Sequence, residues 1–82
     1  MESKLKEIIA DISREEVSSV HDNDLLVNDL GFESIDFADL LNQTELLYDI
    51  ELPEISPTIP YKEMKVSDFV ELVNTINNSK HE

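Results

Sequence analysis

Leu5, Ile8, Ile9 and Ile12 recur at helical spacing between charged positions, which predicts an amphipathic first helix over residues 3–16, with Val17 and Val20 closing its end. From Ser18 to Phe32 the period is lost. The turn formers Asp22-Asn23-Asp24 and Asn28-Asp29 predict a long loop there, pinned to the core by Leu25, Leu26 and Leu30. Helical spacing resumes at about Ser34 and runs to Tyr48 or Asp49, free of glycine and proline, with Phe37, Leu40, Leu41, Thr44 and either Tyr48 or Leu47 on the buried side. Pro53, Pro57 and Pro60 then exclude one regular helix over residues 52–60, because each lacks an N–H and biases the residue before it away from helix. A short helix fits at about residues 60–64, with Pro60 in its first turn. Val66, Phe69, Val70, Val73 and Ile76 predict the last helix, capped near Lys65 or Ser67 and ended by Asn77-Asn78-Ser79.

No strand-length alternation and no internal repeat interrupt this pattern. It predicts an all-α fold, a small bundle of three longer helices plus one short or irregular third helix. At 82 residues the chain is expected to form one domain over residues 1–82, with a small core, since a chain of this size buries only roughly 60% of its unfolded surface.

Charge changes the picture more than composition does. The formal net charge is −13, which argues against nucleic acid as a partner because a phosphate backbone would be repelled. Lys4, Lys6 and Arg14 lie near one end and Lys62, Lys65 and Lys80 near the other, while residues 15–61 hold no Lys or Arg. That acidic middle is suited to steering toward basic patches on partners. There is no cysteine, hence no disulfide or thiolate metal site, and His21 and His81 are far apart. No apolar run approaches the roughly 18 residues of a membrane span, and the N-terminus leads into the amphipathic segment rather than a signal-peptide core. A soluble, cytoplasmic, monomeric protein is expected.

The candidate chemistry lies in Asn28-Asp29-Leu30-Gly31-Phe32-Glu33-Ser34-Ile35-Asp36, which puts one serine at the mouth of the second helix beside the chain's single glycine. Position alone favours a helix cap for Ser34. The run, the acidic helix after it and Asp49-Ile50-Glu51-Leu52-Pro53 at its far end together resemble the acyl carrier proteins. The resemblance extends to Val66-Ser67-Asp68-Phe69-Val70.

This resemblance implies an acyl-carrier-like bundle in which Ser34 bears 4'-phosphopantetheine, transferred from coenzyme A by a phosphopantetheinyl transferase. The chain would then hold acyl groups as thioesters and catalyse nothing itself. A phosphodiester at that hydroxyl would meet the positive end of a helix dipole and unpaired backbone N–H groups, and Gly31 would let the loop turn tightly into the helix. Glu33, Asp36, Asp39, Glu45 and Asp49 become candidates for docking basic patches on acyl-transferring or chain-extending enzymes. Phe37, Leu41, Leu52, Ile55, Ile59, Met64, Phe69 and Val73 become candidates for the acyl pocket.

Three departures from the family pattern shape the expectation. Glu33 stands where Asp usually precedes the serine, Leu46-Leu47 stand where fatty-acid carriers have glutamates, and the stretch from Pro53 to Val66 is long and proline-rich. One of Leu46 and Leu47 is expected to be exposed as an apolar contact or buried against the proline-rich loop. These features favour a specialised carrier for fatty acid or related lipid synthesis, with polyketide-type synthesis as the alternative. An unmodified acidic interaction module is the rival outside the family. A calcium loop through Asp22, Asp24, Asn28 and Glu33 fails, because Leu26 and Val27 stand where a ligand and the turn glycine are required. No acid, base and nucleophile assemble into an enzyme site, His21 being read as a loop residue.

Overall fold

Helix α1 covers Glu2–Ser13, α2 covers Ser34–Tyr48 and α3 covers Val66–Lys80, with single 3-10 turns at Val17–Ser19 and Tyr61–Glu63. The structure is a computed structural model that describes residues 2–52 and 61–80. No strand occurs among the described residues; one isolated antiparallel bridge joins Leu25 and Lys65. This is the all-α bundle that the periodicity predicts, and the 3-10 turn at Tyr61–Glu63 falls where a short helix is expected.

The first helix ends at Ser13, short of the expected residue 16. Arg14 adopts the left-handed conformation with φ of 61°. The Glu15 N–H donates to the Ala10 carbonyl at 3.0 Å and the Arg14 N–H to that of Asp11 at 3.4 Å, the paired bonds of a Schellman exit. Val17 consequently stays 45% exposed, and Val20 alone closes this end of the core.

The core gathers the predicted stripes: Leu5, Ile9 and Ala10 from α1, Phe37, Leu40 and Leu41 from α2, and Val66, Phe69 and Val73 from α3. α1 packs against both other helices, and Phe37 meets Phe69 edge to face with ring centroids 6.3 Å apart. Thr44, fully buried on α2, donates its hydroxyl to the Leu40 carbonyl at 2.7 Å, which removes the cost of an unpaired polar group in the core. Of the two candidates for the last buried turn of α2, Tyr48 packs partly against the core and Leu47 is 49% exposed.

The long loop is tied down by backbone bonds as well as by side chains. Leu26 is buried, and Leu30 packs against the core from a half-buried position. The Leu26 N–H donates to the Met64 carbonyl at 3.0 Å, while the Val66 and Ser67 N–H groups donate to the Asp24 and Asp22 carbonyls at 2.9 and 3.0 Å. The loop thus caps the start of α3. A Lys6–Asp22 ion pair at 2.7 Å fastens it to α1; both groups are partly solvated, so the pair contributes about 0–1 kcal/mol.

Candidate functional site

The approach to Ser34 is built by a compact turn over residues 25–31. The Asp29 carboxylate accepts the Leu25 N–H at 2.7 Å, and the Asp29 and Leu30 N–H groups return to the Leu25 carbonyl at 3.0 and 3.1 Å. Gly31 comes next, with φ of 73°. A Cβ built there meets nothing within 4 Å, so glycine is favoured by the left-handed backbone, which strains a side chain, and not by crowding. Phe32 then drops into the core. It stands at N′ of α2 and Phe37 at N4, both buried, the placement of a hydrophobic staple that fixes the angle at which the chain enters the helix.

Glu33, not Ser34, is the N-cap residue, with extended φ of −98° and ψ of 173°. The Asp36 carboxylate reaches back to accept the Glu33 N–H at 2.9 Å, as in a capping box. Ser34 is the first helical residue and is exposed. Its hydroxyl stands at the positive end of the α2 dipole, and its own N–H and that of Ile35 have no intrahelical acceptor by position. A phosphodiester on this hydroxyl fits the site: it has solvent access, two adjacent N–H donors and a favourable dipole.

The other predicted site residues divide by what their side chains already do. Glu33 and Asp39 are exposed, as is Asp49, which takes the left-handed position after α2 with φ of 53°. Asp36 and Glu45 are half-buried, and both carboxylates accept backbone N–H groups, that of Glu45 from Leu52 at 3.0 Å. Sequence reasoning missed these two bonds. The Glu33-x-x-Asp36 spacing could have revealed the first as a capping signature, whereas nothing local announces a bond across the seven residues from Glu45 to Leu52. Leu46 and Leu47 are both exposed, at 78% and 49%, so of the two alternatives the exposed apolar contact is the one found, and it takes in both leucines. At helical spacing Ile35, Asp39, Asn42 and Leu46 share the face opposite Phe37, Leu40 and Leu41, and Ile35 is 72% exposed.

Phe37, Leu41, Leu52, Phe69 and Val73 come together in one core cluster, with Met64 packed against it. Ile55 and Ile59 lie outside the described residues. Open depressions occur elsewhere, one lined by Ile8, Gln43, Leu46 and Leu47, another by Asp49, Ile50, Glu51, Ile76 and Ser79.

In the loop, Asp24 accepts the His21 N–H at 2.9 Å and faces its ring at 3.6 Å, and Asp22 pairs with Lys6. These carboxylates point to local partners rather than to one centre, and no group of three metal-ligating side chains assembles among the described residues. No helix among the described residues is long and apolar enough to cross a membrane. Compared with known protein families, residues 3–58 match the family model described as a phosphopantetheine attachment site. The matched span contains the Gly31 turn, Ser34 and all of α2.

Proposed function

The chain belongs to the phosphopantetheine attachment-site family, that of the acyl carrier proteins, and carries covalent 4'-phosphopantetheine; from that premise we propose that the group is linked through Ser34. The observation that carries this reading is the exposed Ser34 hydroxyl in the first turn of α2, with Glu33 acting as cap and the serine left accessible. Loaded with the group, the chain holds acyl intermediates as thioesters and delivers them to enzymes of fatty acid or related lipid synthesis, without catalysing a step of its own. Polyketide-type synthesis is the alternative pathway for the same chemistry.

Residues 1–82 act as one carrier unit. Its acyl chain enters the apolar interior bordered by Phe37, Leu41, Leu52, Phe69 and Val73, with Met64 packed against that cluster. Asp39 lies at the centre of a docking face that takes in Glu33, Asp36 and Asp49 and receives basic groups of the phosphopantetheinyl transferase and the acyl-handling enzymes. The exposed Ile35 and Leu46 add apolar contact to that face. The strongly negative field of the chain favours such partners and opposes association with a second copy, in keeping with a monomer.

The test is the intact mass before and after incubation with coenzyme A and a broad-specificity phosphopantetheinyl transferase. The native chain is expected to gain one phosphopantetheine and Ser34→Ala none, with its helical spectrum unchanged. A gain in both would move the attachment point, and a folded chain that gains nothing would overturn the assignment.

A further inference from the structure

Glu45 stands in the last turn of α2, where the helix dipole disfavours a carboxylate. Its surroundings supply an offset. The Glu45 carbonyl accepts the Asp49 N–H and, at 3.3 Å, the Ile50 N–H, while its carboxylate Oε2 accepts the Leu52 N–H at 3.0 Å. One residue therefore receives three of the first four N–H groups of the chain that leaves the helix. Ile50 and Leu52 are both only 7% exposed, so a Leu52 N–H left without an acceptor would carry the desolvation penalty of a buried donor. A charge-assisted bond is the stronger kind available to it.

We propose that Glu45 is a positioning residue for the acyl cargo. Its carboxylate straps residues 50–52 to the end of α2, fixes Leu52 as a wall of the acyl pocket, and is thereby withdrawn from the contacts that partner enzymes make. The chemistry required is that of an acceptor, not of a charge. The inference rests on the reading of Leu52 as a pocket residue.

The test uses the full chain. Amide hydrogen exchange is measured on the unmodified native protein, Glu45→Gln and Glu45→Ala. Transferase KM is measured for these and for Asp39→Asn, and the rise in melting temperature is measured for each form loaded with short and long acyl chains. In Glu45→Ala the Leu52 amide is expected to exchange about 10-fold faster, as a lost hydrogen bond implies, and the ranking of acyl chains to flatten. Glu45→Gln, whose side-chain oxygen still accepts, is expected to stay within about 3-fold of native exchange and to keep the ranking. Both Glu45 variants are expected to keep the native KM, while Asp39→Asn raises it.

Native exchange at Leu52 in Glu45→Ala would overturn the strap, and an unchanged acyl ranking despite faster exchange would overturn its role in the pocket. A KM in Glu45→Gln as high as in Asp39→Asn would return Glu45 to the docking face. Failure of Ser34 to accept phosphopantetheine would instead overturn the attachment reading, and the exchange result on unmodified protein separates the two.

Discussion

α1 and α2 leave their helices by the same backbone route and arrive at different places. Each is succeeded by a non-glycine residue in the left-handed conformation, Arg14 or Asp49, and each is closed by an N–H reaching back five residues, Glu15 to Ala10 and Ile50 to Glu45. After α1 the chain enters the 3-10 turn Val17–Ser19, which buries no residue, and the Ser13 hydroxyl turns back to donate to the Ile9 carbonyl at 2.9 Å. After α2 the chain goes inward through Ile50 and Leu52, held by the Glu45 carboxylate. The same backbone device ends both helices, and among the described residues only after α2 does a side chain one turn earlier also bond the departing segment, through Glu45 and the Leu52 N–H.

The largest contrast between the two exits lies in core anchoring. Leu52→Ala should lower the unfolding free energy by about 2–4 kcal/mol, as for a buried leucine, and Val17→Ala by less than about 0.5 kcal/mol; urea unfolding of both variants checks this. Equal losses would mean that the two exits are anchored alike. Glycine at the left-handed positions gives a smaller effect of opposite sign. Arg14→Gly should stabilise by about 0.5–1 kcal/mol by relieving a conformation that side chains resist, whereas Asp49→Gly should gain less, since Asp49 is engaged in the folded state. A larger gain at Asp49 in thermal unfolding would contradict that ordering.

The smallest effect is confined to alkaline pH. Burial raises the Tyr48 phenol above its ordinary value of 10.0, so the folded state favours the neutral form. The resulting stability is present below pH 10 and is lost as pH rises through the raised value. Tyr48→Phe should abolish that component of the loss, and the Ser13 end, with no ionisable phenol, provides no counterpart. Unfolding curves at pH 8 and 10.5 for native and variant proteins read it directly.

The stripes of all three helices, the loop between the first two and the start of α2 at Ser34 were legible because apolar spacing and turn chemistry are local signals. The end of α2 was legible too, since Asp49 and the prolines beyond it mark the place. The end of α1 was not. No glycine stands at Arg14, and Glu15-Glu16-Val17 continues an acceptable helical pattern, so only the backbone itself reveals the left-handed turn. The place of Ser34 at the mouth of α2 and the tight turn at Gly31 were readable from their neighbours, whereas the division of carboxylates between solvent and backbone was not. Asp39 and Glu45 look alike in sequence and differ in whether a distant N–H arrives within 3.0 Å.

The bonds from residues 22–26 to residues 64–67 also bear on the order in which this chain folds. They join segments about 40 residues apart, and closing a loop of that length costs about 3 kcal/mol of chain entropy beyond a constant term. The helices and the turn over residues 25–31 can form their local bonds on the way, but the bonds of residues 22, 24 and 26 to residues 64–67 wait for the start of α3. The loop that precedes Ser34 is therefore expected to gain its last hydrogen bonds late in folding, from residues beyond position 58, where the family match ends.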